Sequence, residues 1–418
     1  MTMKKLLTII ICLAAALNAS ATVKTGLEVL VEGGFAPLQG KRVGLVTNPT
    51  GVDRDLNSTV DILFNAPGVK LVALFGPEHG VRGDIQAGGY VTQSTDRKTG
   101  LPIYSLYGST RKPTAKMLEG LDAVVYDIQD NGCRSYTFIS TLGLVMQACA
   151  NLGIEVIVLD RPNPLGGRKV EGSFVESGYF SFVSMYEIPY VYGLTVGELA
   201  RMLNEEGMVR GQNGRETAKK CRLTVIPMEG WCRDMTFEDT GLPWVPTSPN
   251  MPHPKTAFCY PASGIIGELG GYLNIGVGYT LPFECFAATW ITDADKFAAA
   301  LNALDLPGVV FRPTYYQPTS GSSAGKTVGG VQIFFTDYSA ARLTEIQFHV
   351  MQVVARIYPT QKPLDSTDAS KYSMFDKVLG SNRIREAFRK SYRFDDIKEF
   401  WRKDEDSFRA KSAKYYLY

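Results

Sequence analysis

Short apolar runs of strand type recur along the first half of the chain, and each stops abruptly in a polar or Gly/Pro-bearing stretch. Arg42-Val43-Gly44-Leu45-Val46-Thr47 runs into Asn48-Pro49-Thr50-Gly51, and Lys70-Leu71-Val72-Ala73-Leu74 runs into Phe75-Gly76-Pro77-Glu78-His79-Gly80. Asp122 to Ile128 is followed by Gln129-Asp130-Asn131-Gly132, and Ile154 to Leu159 by Asp160-Arg161-Pro162-Asn163-Pro164. Pro102 to Tyr107 and Leu223 to Ile226 read as two further strands. Between these runs the apolar period changes to that of a helix, through Val60, Ile62 and Leu63, and again through Phe138, Leu142, Val145, Met146 and Cys149. Thr195 to Glu206 opens with a capping box, Thr195 as N-cap and Glu198 three residues on. Continuous apolar strands alternating with helices predict an α/β fold with a Rossmann-like, mostly parallel sheet covered on both faces. Parallel strands bring their carboxyl ends to one edge, where open α/β sheets bind ligands. That geometry gathers Asn48, Glu78, His79, Asp127, Asp130, Asp160, Arg161 and Asn163 around one crevice. Val81 to Thr99, rich in Gly, Gln, Thr and Asp, reads as a long loop at that edge, with Asp84, Gln86 and Tyr90 as ligand contacts.

The pattern changes near Leu242. Pro243, Pro246, Pro249, Pro252 and Pro254 stiffen the segment to Lys255 into an extended crossing. The expected division is a Rossmann-like domain over 22–245 and a smaller α+β domain over 246–418. In the second part Leu281-Pro282-Phe283-Glu284 ends in another carboxylate, and Val309 to Pro313 and Gly330 to Phe335 read as strands. Leu343 to Tyr358 is an amphipathic helix, which makes His349 a core or flank residue. The charged tail from Arg383 to Tyr418 reads as helical, docked by Phe388, Phe394, Phe400, Trp401 and Phe408.

Composition narrows the setting. Lys4 and Lys5 precede an apolar run from Leu6 to Leu17 that is too short to span a bilayer, and Ala19-Ser20-Ala21 fits a cleavage site. Residues 1–21 are therefore expected to be a signal peptide, and the mature protein to be exported, periplasmic and free of a membrane span. Export permits disulfides, and Cys221 and Cys232 flank a short strand where they could pair. The net charge is +2 with no basic block, so nothing points to nucleic acid or a membrane surface. Oligomeric state is not legible.

No G-x-G-x-x-G opens a helix after the first strand and no G-x-x-x-x-G-K-[ST] occurs, so the layout reads as Rossmann-like without a dinucleotide or nucleotide cofactor. Carboxylates in polar loops suit acetal hydrolysis, which needs an acid for the leaving oxygen and an anionic group near an oxocarbenium-like centre. Glu78 is the preferred acid, with Asp127, Asp130, Asp160 and Glu284 as partners. A metal-dependent hydrolase is a second reading, through Glu78, His79, Asp127 and Asp130, but the chain has 3 histidines and no H-x-H or H-E-x-x-H. A periplasmic sugar- or muropeptide-binding protein is a third, with Tyr90, Tyr136, Trp231 and Trp244 to stack on a ring.

Taken together, Gly44-Leu45-Val46-Thr47-Asn48-Pro49-Thr50-Gly51, Gly76-Pro77-Glu78-His79-Gly80, Tyr126-Asp127-Ile128-Gln129-Asp130, Leu159-Asp160-Arg161-Pro162-Asn163-Pro164 and Pro246-Thr247-Ser248-Pro249-Asn250-Met251-Pro252 resemble the NamZ-type exo-β-N-acetylmuramidases. The resemblance runs in order from about Leu27 onward. It implies release of terminal non-reducing N-acetylmuramic acid from MurNAc–GlcNAc and muropeptides during cell-wall turnover, without a cofactor. It also implies a site in the cleft between a Rossmann-like and a smaller C-terminal domain. Carried over residue by residue, it makes Glu78 catalytic and places His79, Asp127, Asp130, Asp160, Arg161, Asn163 and Asn250 in the pocket. The second catalytic role stays open among Asp127, Asp130 and Glu284. Muramic acid carries a lactyl carboxylate, for which Arg161 is the expected cation and Arg82 and Arg134 are alternatives.

Overall fold

A computed structural model describes residues 22–83, 94–209 and 219–418. The expected signal peptide, and Asp84, Gln86 and Tyr90, lie outside the described residues. The apolar runs form strands β1 (Arg42–Thr47), β2 (Lys70–Gly76), β3 (Ser94–Thr95), β4 (Pro102–Ser105), β5 (Ala123–Asp127), β6 (Glu155–Leu159) and β7 (Arg222–Ile226) of one sheet. The sheet order is β3-β4-β2-β1-β5-β6-β7. Every neighbouring pair is parallel except β3 with β4. Setting aside the short β3, this is a doubly wound order whose direction of progression reverses between β1 and β5, and a crevice opens at such a reversal.

Both faces of the sheet are covered, because successive residues of the central strands point to opposite sides. Ala123 and Val125 of β5 pack with Val43 and Leu45 against Leu27, Leu30, Val60 and Leu63 of α1 (Gly26–Glu32) and α2 (Thr59–Asn65). Val124 and Tyr126 pack the other way, against Leu142, Val145 and Leu199 of α3 (Phe138–Leu152) and α4 (Val196–Glu205). The capping box forms as the sequence predicts: Glu198 N–H donates to Thr195 Oγ1 and Thr195 N–H to Glu198 Oε2.

The second part is built on α5 (Pro254–Gly267), an antiparallel sheet of β8 (Cys285–Ala288), β9 (Val309–Tyr316) and β10 (Val328–Phe335), and helices α6 (Ala294–Asn302) and α7 (Ile346–Ile357). The tail forms α8 (Tyr372–Leu379), α9 (Asn382–Ser391), α10 (Asp395–Arg402) and α11 (Glu405–Ser412). Phe388, Phe394 and Trp401 dock it on Phe348 of α7, and Trp401 Nε1 donates to Thr344 Oγ1 at 3.0 Å. His349 lies half-buried against Phe394, as a flank residue.

The two parts are stitched together. Phe408 and Tyr415 enter the core beside α3 and α4, and the Tyr418 hydroxyl donates to Asp160 at 2.8 Å. Arg134 is fully buried and donates to the carbonyls of Ser173, Ile188, Val378 and Leu379. Desolvation lowers its pKa to about 10. Arg134 is thus a brace between the two parts and not a reader of substrate charge. Cys221 and Cys232 are not joined: both are free thiols, the first buried and the second exposed. Among the described residues no helix is long and apolar enough to cross a membrane.

Candidate active site

The loop leaving β2 is a tight turn, closed by Gly80 N–H donating to Pro77 O at 3.0 Å. His79 and Gly80 both adopt left-handed backbone, at φ 74° and 75°. Glycine does so without steric cost, and histidine is among the side chains enriched there. The turn leaves Glu78 half-buried at the sheet edge and His79 buried. Leu106 N–H donates to Gly76 O at 2.8 Å, which draws the exit of β4 alongside the exit of β2. Tyr107 is thereby placed beside Glu78, and burial, with the Glu78 charge near it, pushes its pKa up to about 12. The Thr137 hydroxyl, at the start of α3, lies 3.4 Å from Glu78 Oε2. Next to it the Tyr136 hydroxyl donates to Thr247 of the proline-rich crossing at 2.8 Å, and its ring meets Tyr260 of α5 edge-on. The walls around Glu78 thus come from both halves of the chain.

The reversal between β1 and β5 supplies a second polar group. Asn48 is buried, and its Oδ1 accepts from Thr50 N–H at 3.0 Å and Thr50 Oγ1 at 2.5 Å. Asp130 Oδ2 accepts from Gly132 N–H at 2.8 Å and from the Tyr192 hydroxyl. Asp130 Oδ1, Asn48 Nδ2 and both amide atoms of Asn131 are buried with no hydrogen-bond partner. Such atoms are rare in folded proteins, and several along one edge mark a place built for polar contact. Burial raises the Asp130 pKa from 3.8 to about 6, against the Tyr192 hydroxyl and the backbone N–H groups of Gly132 and Asn131.

Other expected site residues turn inward. Asp127 is fully buried, its Oδ1 accepting from Arg161 Nε at 2.5 Å and its Oδ2 from Arg161 Nη2 at 2.9 Å and Thr59 Oγ1 at 2.5 Å. Arg161 Nη2 also donates to Val52 O at 2.9 Å. Arg161 borders a cavity of about 20 Å³ between Thr50, Gln129, Phe237 and Leu242, which has room for one water and none for a sugar. Arg161 is thus paired with Asp127 through both carboxylate oxygens. Asp160 caps α4, accepting from Gly197 N–H at 2.8 Å and Thr195 Oγ1 at 2.7 Å. Asn163 ties its own turn, accepting from Leu165 N–H at 3.0 Å and donating to Leu194 O at 2.9 Å. Glu284 is buried in the second part and paired with Lys255 at 2.8 Å. Asn250 is half-buried in the turn closed by Met251 N–H on Ser248 O at 3.0 Å. Arg82 pairs with Asp96 at 2.9 Å and Asp61 at 3.3 Å. Trp231 is buried edge-on to Tyr418, and Trp244 is half-buried with its ring edge-on to Phe237.

One consequence is measurable. Arg161→Ala leaves the Asp127 carboxylate buried without its cation, and breaking such a pair costs about 3–5 kcal/mol. The expected result in thermal or denaturant unfolding is a loss of that order; a variant as stable as the parent would show the pair to be dispensable.

Sequence reasoning missed Tyr107, Thr137 and Arg111. Tyr107 and Arg111 follow β4, a strand read from the sequence but not searched for site residues. The Arg111 guanidinium carbon lies 4.3 Å from the centre of the Phe182 ring, and its Nε is buried without a hydrogen-bond partner. Among the described residues no group of three or more His, Cys, Asp or Glu side chains is arranged to hold a metal ion.

Residues 43–255 match the N-terminal and residues 258–418 the C-terminal domain model of exo-β-N-acetylmuramidase NamZ. The chain is 42% identical over 396 residues to the peptidoglycan β-N-acetylmuramidase NamZ of Bacillus subtilis, covering 95% of this chain and 91% of that protein. A crystal structure of a DUF1343-family protein from Bacteroides fragilis superposes with a TM-score of 0.90 at 55% identity, covering 95% of this chain and 99% of that one. A second protein of that family and organism gives 0.73 at 27% identity with the same coverage. With both domains matched in order and a curated relative alike along nearly its whole length, the chain belongs to the exo-β-N-acetylmuramidase NamZ family.

Proposed function

We propose that this protein is an exo-acting glycoside hydrolase that releases terminal non-reducing N-acetylmuramic acid from peptidoglycan fragments, with Glu78 as general acid and Asp130 as second carboxylate. The observation that carries this reading is the placement of Glu78. It stands half-buried at the carboxyl edge of a doubly wound sheet, steadied by Tyr107 and Thr137, in a chain of this family. In that position its proton goes to the glycosidic oxygen as the C1–O bond breaks. Asp130 is preferred to Asp127 as the partner because Asp127 has both oxygens engaged, whereas Asp130 Oδ1 has no partner. An unengaged carboxylate oxygen is suited to accept the N–H of the substrate's 2-acetamido group. The amide oxygen then attacks C1, and Asp130 orients the nucleophile without becoming it.

We also infer export to the periplasm, where peptidoglycan fragments arise, from the two lysines and apolar run before Ala21. The inferred division at 245/246 lies in the proline-rich crossing, with the exception that Phe408 and Tyr415 pack back into the first domain.

The test is turnover by the chain without residues 1–21. Release of N-acetylmuramic acid from a chromogenic β-muramide and from MurNAc–GlcNAc, unchanged by EDTA, is the expected result. Tight sugar binding without turnover would support a binding protein. Activity lost in EDTA and restored by a divalent ion would support a metal-dependent hydrolase.

A further inference from the structure

N-acetylmuramic acid differs from N-acetylglucosamine by one feature, a lactyl ether on C3 that ends in a carboxylate. An enzyme that separates the two sugars needs a cation or a set of N–H donors within reach of that group. The three arginines with the strongest sequence case are committed elsewhere: Arg161 to Asp127, Arg82 to Asp96 and Asp61, and Arg134 to four carbonyls.

Arg111 is different. It lies on the loop leaving β4, four positions after Tyr107. Its guanidinium lies over the Phe182 ring at 4.3 Å, which holds the plane by a cation–π contact and strips water from one face. Its Nε is buried and has no hydrogen-bond partner. With Nε turned inward, the two Nη groups form the end-on fork that grips a carboxylate through two parallel bonds. Among the described residues no carboxylate is paired with it. The Tyr107 phenol feels the charge of Glu78 and the opposing charge of Arg111, so both groups lie in its neighbourhood. The substrate asks for that arrangement: C3 is two carbons from the anomeric carbon, so an anchor for the lactyl group belongs about a sugar ring's width from the acid.

We infer that Arg111 binds the lactyl carboxylate of the terminal muramic acid and sets the preference for it over N-acetylglucosamine, an inference that rests on the muramidase reading above. Phe182 acts through Arg111 as a positioning residue, holding the guanidinium flat so that its Nη edge meets the carboxylate.

The experiment compares three chromogenic β-glycosides: the muramide with a free lactyl acid, its lactyl methyl ester, and the N-acetylglucosaminide. The parent enzyme is expected to favour the free acid over the ester by about 30- to 100-fold, the scale of one charge-assisted pair. Arg111→Gln is expected to bring the free acid down to the level of the ester, mainly through KM, with a much smaller effect on the other two substrates. Arg111→Lys keeps the charge without the fork and is expected to restore part of the preference. It also serves if the glutamine variant does not fold. A preference for acid over ester that survives in a folded variant overturns the inference and leaves the muramidase reading intact. An equal loss on all three substrates also overturns it, by making Arg111 structural. A parent enzyme that turns over none of the three overturns the muramidase reading, and the inference with it.

Discussion

Glu78→Gln is expected to slow release of N-acetylmuramic acid from a substrate with a poor leaving group by at least ~100-fold, while fold and sugar binding stay in place. The substitution keeps the size and shape of the side chain and removes the proton that the leaving oxygen needs. Thr137 still finds an acceptor in the amide oxygen at the position of Oε2, and the turn from Pro77 to Gly80 is held by backbone, so the loop has no reason to move. A leaving group that departs as a stable anion needs little protonation. The variant should therefore recover part of its rate on a nitrophenyl muramide, and the ratio of rates on the two substrates is the diagnostic. Near-normal rates on both would remove Glu78 from the mechanism. An unfolded variant, judged by circular dichroism, would show that the Tyr107–Glu78–Thr137 contacts are needed for structure.

The sheet was legible from sequence because its central strands are buried on both faces, which leaves continuous apolar runs such as Val43 to Val46 and Ala123 to Ile128. The common edge followed from parallel pairing, so the loops after β1, β2, β5 and β6 could be grouped before any coordinates. What each loop residue does there was not legible. A strand-end aspartate reads the same whether its oxygens are engaged or open. Asp127 is engaged by Arg161, 34 positions away, and Asp160 by Tyr418, 258 positions away, while Asp130 keeps Oδ1 without a partner. No local pattern encodes those pairings. Arg161 illustrates the limit: its residue type fits a carboxylate, and the one it meets is the protein's own. The grouping of strand-end loops also passed over β4, whose exit is drawn beside Glu78 by the bond from Leu106 N–H to Gly76 O. Tyr107 and Arg111 were missed for that reason.

Asp130→Asn is expected to lower turnover by about 100- to 1,000-fold, the scale seen when one group that stabilises developing charge is removed. It should also abolish the acid limb of the pH profile. In the folded protein Asp130 is buried with the Tyr192 hydroxyl donating to it, and burial raises its pKa from 3.8 to about 6. To accept the acetamido N–H it must be ionised, so kcat/KM of the parent enzyme should rise as pH passes upward through about 6. The same shift has a stability consequence of opposite sense. Between 3.8 and about 6 the folded state binds a proton that the unfolded state has released, so stability falls as pH rises across that window. Asparagine carries no such proton, and the variant should lack that component of the pH dependence of unfolding. Asp160 is the control. Burial raises it to about 6 as well, but its oxygens cap α4 and meet Tyr418. Asp160→Asn should therefore change the pH dependence of stability and leave the acid limb of kcat/KM where it was. Product stereochemistry then separates the roles left to Asp130. Retention fits an amide nucleophile oriented by Asp130 Oδ1, and inversion would make the same oxygen the base for an attacking water. A folded Asp130→Asn variant with parental rates and an unshifted acid limb would exclude both roles.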